Sequence, residues 1–132
     1  KVLYKMANVS DALVWQLIKG RNSFVIRRTK DKNVEFSTER GNLQGINART
    51  TSGLANSKAI AMRESRKQST KGAVVIHTKT KKGTWSKTVV GGRNFRKGAK
   101  AVQKKVAQAG RPDLKRTALA RWSKLSKVNK ST

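Results

Sequence analysis

The side chains that most enzymes use for chemistry are scarce here: one histidine, six carboxylates and no cysteine in 132 residues. His77 falls in Ala73 to Thr80, where Val74, Ile76 and Thr78 alternate with Val75, His77 and Lys79, a period that predicts a strand. A nucleophilic set would need that histidine exposed and oriented by a carboxylate, and none of the six acids carries the local signature of one. Glu35 and Glu39 could act as an acid and base pair, but on an alternating strand they read better as cross-strand partners of Arg27 or Arg28. Gly92 to Lys100 has glycines and lysines at the wrong spacing for a phosphate-cradling loop. One histidine among scattered acids gives no metal-ligand cluster. The sequence predicts no enzyme, no metal, no cofactor and no small-molecule substrate.

The abundant chemistry is cationic. Thirty-two Lys and Arg face six Asp and Glu, a formal charge of +26. Twelve of the basic residues precede Glu64 and twenty follow it, and beyond Glu64 the one acid is Asp113. Charge of that size repels itself in a compact chain, whereas neutralising phosphates and releasing their counterions turns it into binding free energy. The expected partner is a polyanion, and the C-terminal half is its footprint. The candidate contacts are Arg93, Arg96, Lys97, Lys100, Lys104, Arg111, Lys115, Arg116, Arg121 and Lys124, with Lys81, Lys82 and Lys87 around Trp85. Trp85 either stacks on an unpaired base while its lysines hold the backbone, or covers the edge of the core.

These residues need elements to position them. Ser10-Asp11 is a helix start and Gly20 a helix end, so Ala12 to Lys19 is predicted as a short helix whose Leu13, Trp15, Leu17 and Ile18 pack on a sheet. Ser23 to Arg28 and Val34 to Glu39 alternate as a hairpin, and Ala59 to Arg63 with Ala73 to Thr80 add two more strands. Arg40 to Ser57, rich in Gly, Asn, Thr and Ser, is a connection that crosses or caps the sheet, with Leu43, Ile46 and Leu54 as anchors. Asn94 to Ala109 is a basic helix with a thin stripe of Phe95, Ala99, Val102, Val106 and Ala109. A second begins at Arg111-Pro112-Asp113, with Leu114, Ala118, Trp122, Leu125 and Val128 on one face, which makes Trp122 a core residue.

The expected fold is therefore α+β: an N-terminal helix on a mostly antiparallel sheet of about four strands, followed by two basic C-terminal helices. Residues 1–9 read as an N-terminal extension, 10–90 as the α+β core, 91–128 as a basic helical RNA-binding extension and 129–132 as a tail. With 36% hydrophobic residues and 5% aromatic, the core rests on Val, Leu, Ile and Ala. The longest apolar run, Ala12 to Trp15, is far short of a membrane span.

Three stretches in this order, V-W-Q-L-I-K-G-R-N-S-F-V-I-R-R, F-S-T-E-R-G-N-L and G-R-P-D-L-K-R-T-A-L-A-R-W-S, resemble the eukaryotic large-subunit ribosomal protein L-twenty-eight family from about Ser10 to Val128. The resemblance implies a structural protein of the cytosolic large subunit, assembled in the nucleolus, with large-subunit rRNA and neighbouring ribosomal proteins as partners. The stretch N-L-Q-G-I-N-A-R-T-T-S-G-L-A-N-S-K-A-I-A-M-R-E also resembles the N-terminal domain of a ribosome-biogenesis factor family, which carries cysteines there and continues well beyond this length. A basic DNA-binding protein would share the charge.

Overall fold

A segment apolar at every second residue must lay that side on something, and a helix with an apolar stripe supplies the complement. The computed structural model describes residues 9–27, 34–65, 72–80 and 83–131. In chain order its elements are α1 (Asp11–Ile18), β1 (Val25–Arg27), β2 (Glu35–Ser37), β3 (Ile60–Glu64), β4 (Val74–Lys79), β5 (Trp85–Val90), α2 (Phe95–Gln108), a 3₁₀ turn (Pro112–Leu114) and α3 (Lys115–Ser131). The chain is an α+β protein with an N-terminal helix, antiparallel sheets of two and three strands, and C-terminal helices.

The three-stranded sheet runs β3-β4-β5, and its register fixes its two faces. Met62 lies opposite Ile76, which lies opposite Thr88; Val74 lies opposite Val90. Ile60, Met62, Val74, Ile76 and Val90 thereby share the face on which α2 and α3 pack, and with Val102, Val106, Leu114, Ala118, Trp122 and Leu43 they form the core. α3 lies against β3 and β4, α2 against β5 and α3. Trp122 is the largest fully buried side chain, tilted on Phe95 with ring centroids 4.7 Å apart. It lies over Gly98, where an added Cβ would be 2.4 Å from its Cζ2. Its indole N–H is buried with no acceptor among the described residues.

The structure adds a fifth strand, β5, inside the basic segment around Trp85, and divides the strands between two sheets rather than one. Ser86, Lys87 and Thr88 leave it without an apolar alternation, and pairing with β4 over six residues supplies the stability its sequence does not advertise. β1 and β2 form the smaller sheet, which residues 45–47 extend through a Phe36–Ile46 bridge and the Ser37 N to Gly45 O and Asn47 N to Glu35 O hydrogen bonds.

Packing of α1 on a sheet is corrected: no α1 residue is buried, and Leu13 and Leu17 are 52% and 66% exposed. The helix is held by polar ties instead. The Asp11 carboxylate accepts from Ser57 N and Oγ, both at 3.1 Å, and Asn47 Nδ2 donates to the Lys19 carbonyl. The expected cap is present, with Ser10 Oγ accepting from Leu13 N.

Glu35 does pair with Arg27, at 2.8 Å. Glu39 pairs with no arginine among the described residues: it is buried and accepts from Ser52 Oγ at 3.0 Å, and from Asn42 Nδ2 and Leu54 N, both at 3.2 Å. It organises the 38–58 connection, which caps the sheet. Of that connection's three expected anchors, Leu43 is in the core while Ile46 and Leu54 are exposed. Leu114 of the 3₁₀ turn and Ala118, Trp122 and Ser126 of α3 form one buried face, with Leu125 half-buried and Val128 exposed. α3 continues through Ser131. Arg28 and most of the Glu64 to Gly72 connection lie outside the described residues.

Candidate nucleic-acid interface

Burial of Gly98, Val102 and Val106 turns the opposite side of α2 to solvent, and there Arg96, Lys97, Lys100 and Lys104 are all exposed. Arg96, Lys100 and Lys104 recur every fourth residue and so form one ridge. The first turn of α2 has no acid and no side-chain cap from Asn94, while Arg93, Arg96 and Lys97 crowd it. Cations at a helix N-terminus oppose the macrodipole, and uncapped N–H groups there are ready donors to an anion. On α3, Lys115, Arg116, Lys124 and Lys127 are exposed.

Carboxylates do not neutralise this surface. The two ion pairs among the described residues are Arg27–Glu35 and Arg111–Asp113. Asp113 is the one acid after Glu64 and it is taken by Arg111, whose hydrogen bonds hold its carboxyl below the usual carboxylate range.

Two of the sequence-predicted contacts have internal work. All three guanidinium nitrogens of Arg111 are engaged, by Asp113 and by the carbonyls of Lys58 and Thr50, so this residue ties the 3₁₀ turn to the 38–58 connection. Arg121 donates to the Leu43 carbonyl at 3.1 Å and keeps an exposed remainder. Lys81 and Lys82 lie outside the described residues. Lys87 and Trp85 are on β5, on the sheet face turned away from the helices.

That outer face carries a second cluster. Arg40 lies over the Trp85 ring, 4.5 Å from its centroid, and its Nη2 donates to His77 Nδ1 at 3.1 Å. His77 pairs across the sheet with Lys87 on one side and Ala61 on the other, and Arg63 follows two residues along β3. Burial chiefly, then the charges of Arg40, Arg63 and Lys87, push the His77 pKa below its ordinary value, so the ring stays neutral and accepts from Arg40. The edge of Trp85 meets the backbone at Gly41 (φ +93°), where a Cβ would be 2.9 Å from Cη2. Sequence reasoning missed Arg40 and Arg63. The period of β3 could have placed Arg63 beside His77, but Arg40 sits in a connection without a period, and only folding brings it there.

No group of three or more metal-ligating side chains occurs among the described residues, and no described helix is long and apolar enough to cross a membrane. Fold and surface together define an α+β structural protein whose chemistry is a dense, unneutralised cationic exterior. The chain belongs to the ribosomal L28e protein family, whose model matches residues 13–128, a family of structural ribosomal components rather than enzymes. It is similar to the large ribosomal subunit protein eL28 of Schizosaccharomyces pombe, 31% identical over 123 residues that cover 88% of this chain and 90% of that protein. It is also similar to the Caenorhabditis elegans protein of the same name, 41% identical over 81 residues, 61% of this chain and 60% of that protein.

Proposed function

We propose that the chain is a structural constituent of the cytosolic large ribosomal subunit that binds and stabilises folded large-subunit rRNA through Lys and Arg contacts to phosphates. The observation that carries this is the exposed cationic side of α2 and α3, which has one nearby carboxylate, already taken by Arg111. Phosphates supply the missing countercharge, and an uncapped helix start supplies N–H donors to them. Recognition of this kind reads RNA shape and backbone rather than a long base sequence.

Arg93, Arg96, Lys97, Lys100, Lys104, Lys115, Arg116 and Lys124 are the helix-side contacts, with Lys81 and Lys82 as further candidates. Arg111 acts inside the protein and Arg121 partly so. The exposed apolar residues of α1 and the first hairpin, Leu13, Leu17, Phe24 and Ile26 among them, offer contact area to neighbouring ribosomal proteins. Assembly takes place in the nucleolus on this reading.

Sedimentation of cell extracts tests it. The chain should reside in mature large subunits and polysomes and resist a high-salt wash. Confinement to nucleolar precursors would identify an assembly factor instead. Displacement of rRNA by duplex DNA at equal phosphate and fixed salt would favour a DNA-binding protein.

A further inference from the structure

The helix ridge and the outer sheet face point in opposite directions, with the sheet and the helix layer between them, on the order of 15–20 Å of protein. One short RNA element docked on α2 and α3 does not reach Arg40, His77 and Lys87. The outer face nonetheless has the make-up of an RNA contact. Arg40 is exposed yet preset, lying over Trp85 and hydrogen-bonded to His77. Beside it a groove of about 690 Å³ passes between His77, Lys87, Val75 and Val89 and turns round the β3 edge past Arg63 to Arg121. Glu64 is the one acid on its lining, against Arg63, Lys87 and Arg121.

We infer that the outer face of β3-β4-β5 is a second RNA contact that takes an unpaired strand, so that the chain ties two RNA segments together across its own thickness. A base stacks on the guanidinium of Arg40, which Trp85 supports from behind, and Arg63 and Lys87 hold the flanking phosphates. Guanidinium planes and exposed aromatics are the usual platforms for splayed bases, and they tolerate any base because each presents a π-face. A groove with flexible cations and apolar floor residues suits a single strand, whereas a duplex is too wide and stiff to follow it round a strand edge. This inference rests on the rRNA reading above.

The test uses the full chain loaded on an immobilised large-subunit rRNA fragment and a fluorescent twelve-nucleotide oligouridylate as the second RNA. The loaded wild type should capture the oligouridylate. The double variant Arg63→Gln, Lys87→Gln should lower that capture about tenfold and flatten its log-affinity against log-salt slope by about 1.4, at about 0.7 per single-strand phosphate. Its affinity for the rRNA fragment should stay within about twofold, while Lys97→Gln, Lys100→Gln, Lys104→Gln should do the reverse. Arg40→Lys, which keeps charge and loses the flat group, should weaken capture without changing the slope. Unchanged capture by the double variant, or equal weakening of both RNAs by both sets, overturns the inference. So does displacement of the oligouridylate by polyglutamate-binding competition, in which an acidic peptide is taken from solution in preference to RNA. A wild type that holds the rRNA fragment but no oligouridylate overturns this inference alone; one that holds neither overturns the rRNA reading with it.

Discussion

Gly98 looks like a defect when α2 is considered alone, because glycine within a helix costs about 1 kcal/mol relative to alanine. Its place under the indole of Trp122 reverses that expectation. A Cβ there would meet Cζ2 at 2.4 Å and the Gly91 carbonyl at 3.3 Å, and Trp122 is fully buried with its ring against Phe95. Overpacking of a core costs about 1–3 kcal/mol, more than the helix gains. Gly98→Ala should therefore lower the thermal midpoint followed by circular dichroism, and a higher midpoint would show that the Trp122 site is looser than described. His77, Asp113 and Glu35 make stability depend on pH in one direction. The His77 pKa is lower folded than unfolded, so below about 6.5 the unfolded chain takes up the proton first and stability falls. Asp113 and Glu35 are also held low, Asp113 chiefly by Arg111 hydrogen bonds and Glu35 chiefly by Asn47, so their contributions are present above the ordinary carboxylate range and vanish as pH falls through their folded values. Denaturant midpoints should drop between pH 7.5 and 5.5, and His77→Gln should flatten that first drop.

At the scale of elements, the start of α3 is fastened by a residue the sequence offered as a contact. The Arg111 side chain is 13% exposed and joins Asp113 to the Lys58 and Thr50 carbonyls. Hydrogen bonds to a charged group contribute about 1.5–3 kcal/mol, so Arg111→Ala should cost about that much in unfolding free energy. Its salt dependence of RNA binding should match the wild type, since no phosphate contact is lost. The exposed ridges should behave oppositely. Neutralising Lys100, Lys104, Arg116 and Lys124 should leave the thermal midpoint unchanged or raise it, because like charges at i and i+4 repel. It should also flatten the log-affinity against log-salt slope for rRNA by about 0.7–0.9 per contact removed. A slope that does not move would place the interface elsewhere on the surface.

For the whole molecule, net charge is the dominant long-range term. A chain carrying +26 repels itself at low salt, and the repulsion is screened within about 10 Å at 0.1 M. The thermal midpoint should rise as salt is added from very low ionic strength, and rise further with an rRNA fragment. A ligand at a hundred times its Kd, binding only the folded chain, adds about 2.7 kcal/mol. A midpoint indifferent to both salt and RNA would contradict the self-repulsion and the proposed rRNA contact together.

Composition and period by themselves determined a good deal. Charge excess and its drift toward the C-terminus do not depend on conformation, so the expectation of a polyanion partner needs composition alone. Long periodic segments, α2, α3, β3 and β4, carry their own signal because apolar residues at a fixed interval have one compact solution. The three stretches beginning at Val14, Phe36 and Gly110 resembled the family that the match over residues 13–128 then showed. Tertiary structure alone decided which polar groups are spent internally and which remain free. Arg111 and Arg121 look like any other surface cations in the chain, yet carbonyls from residues 43, 50 and 58, far away in sequence, claim them. Glu39 is buried by a connection with no period, β5 takes its stability from β4, and Arg40 reaches Trp85 and His77 only through the turn at Gly41. Each of these depends on contacts between residues distant in the chain, whose energies come from proximity in space, and local spacing carries no record of them.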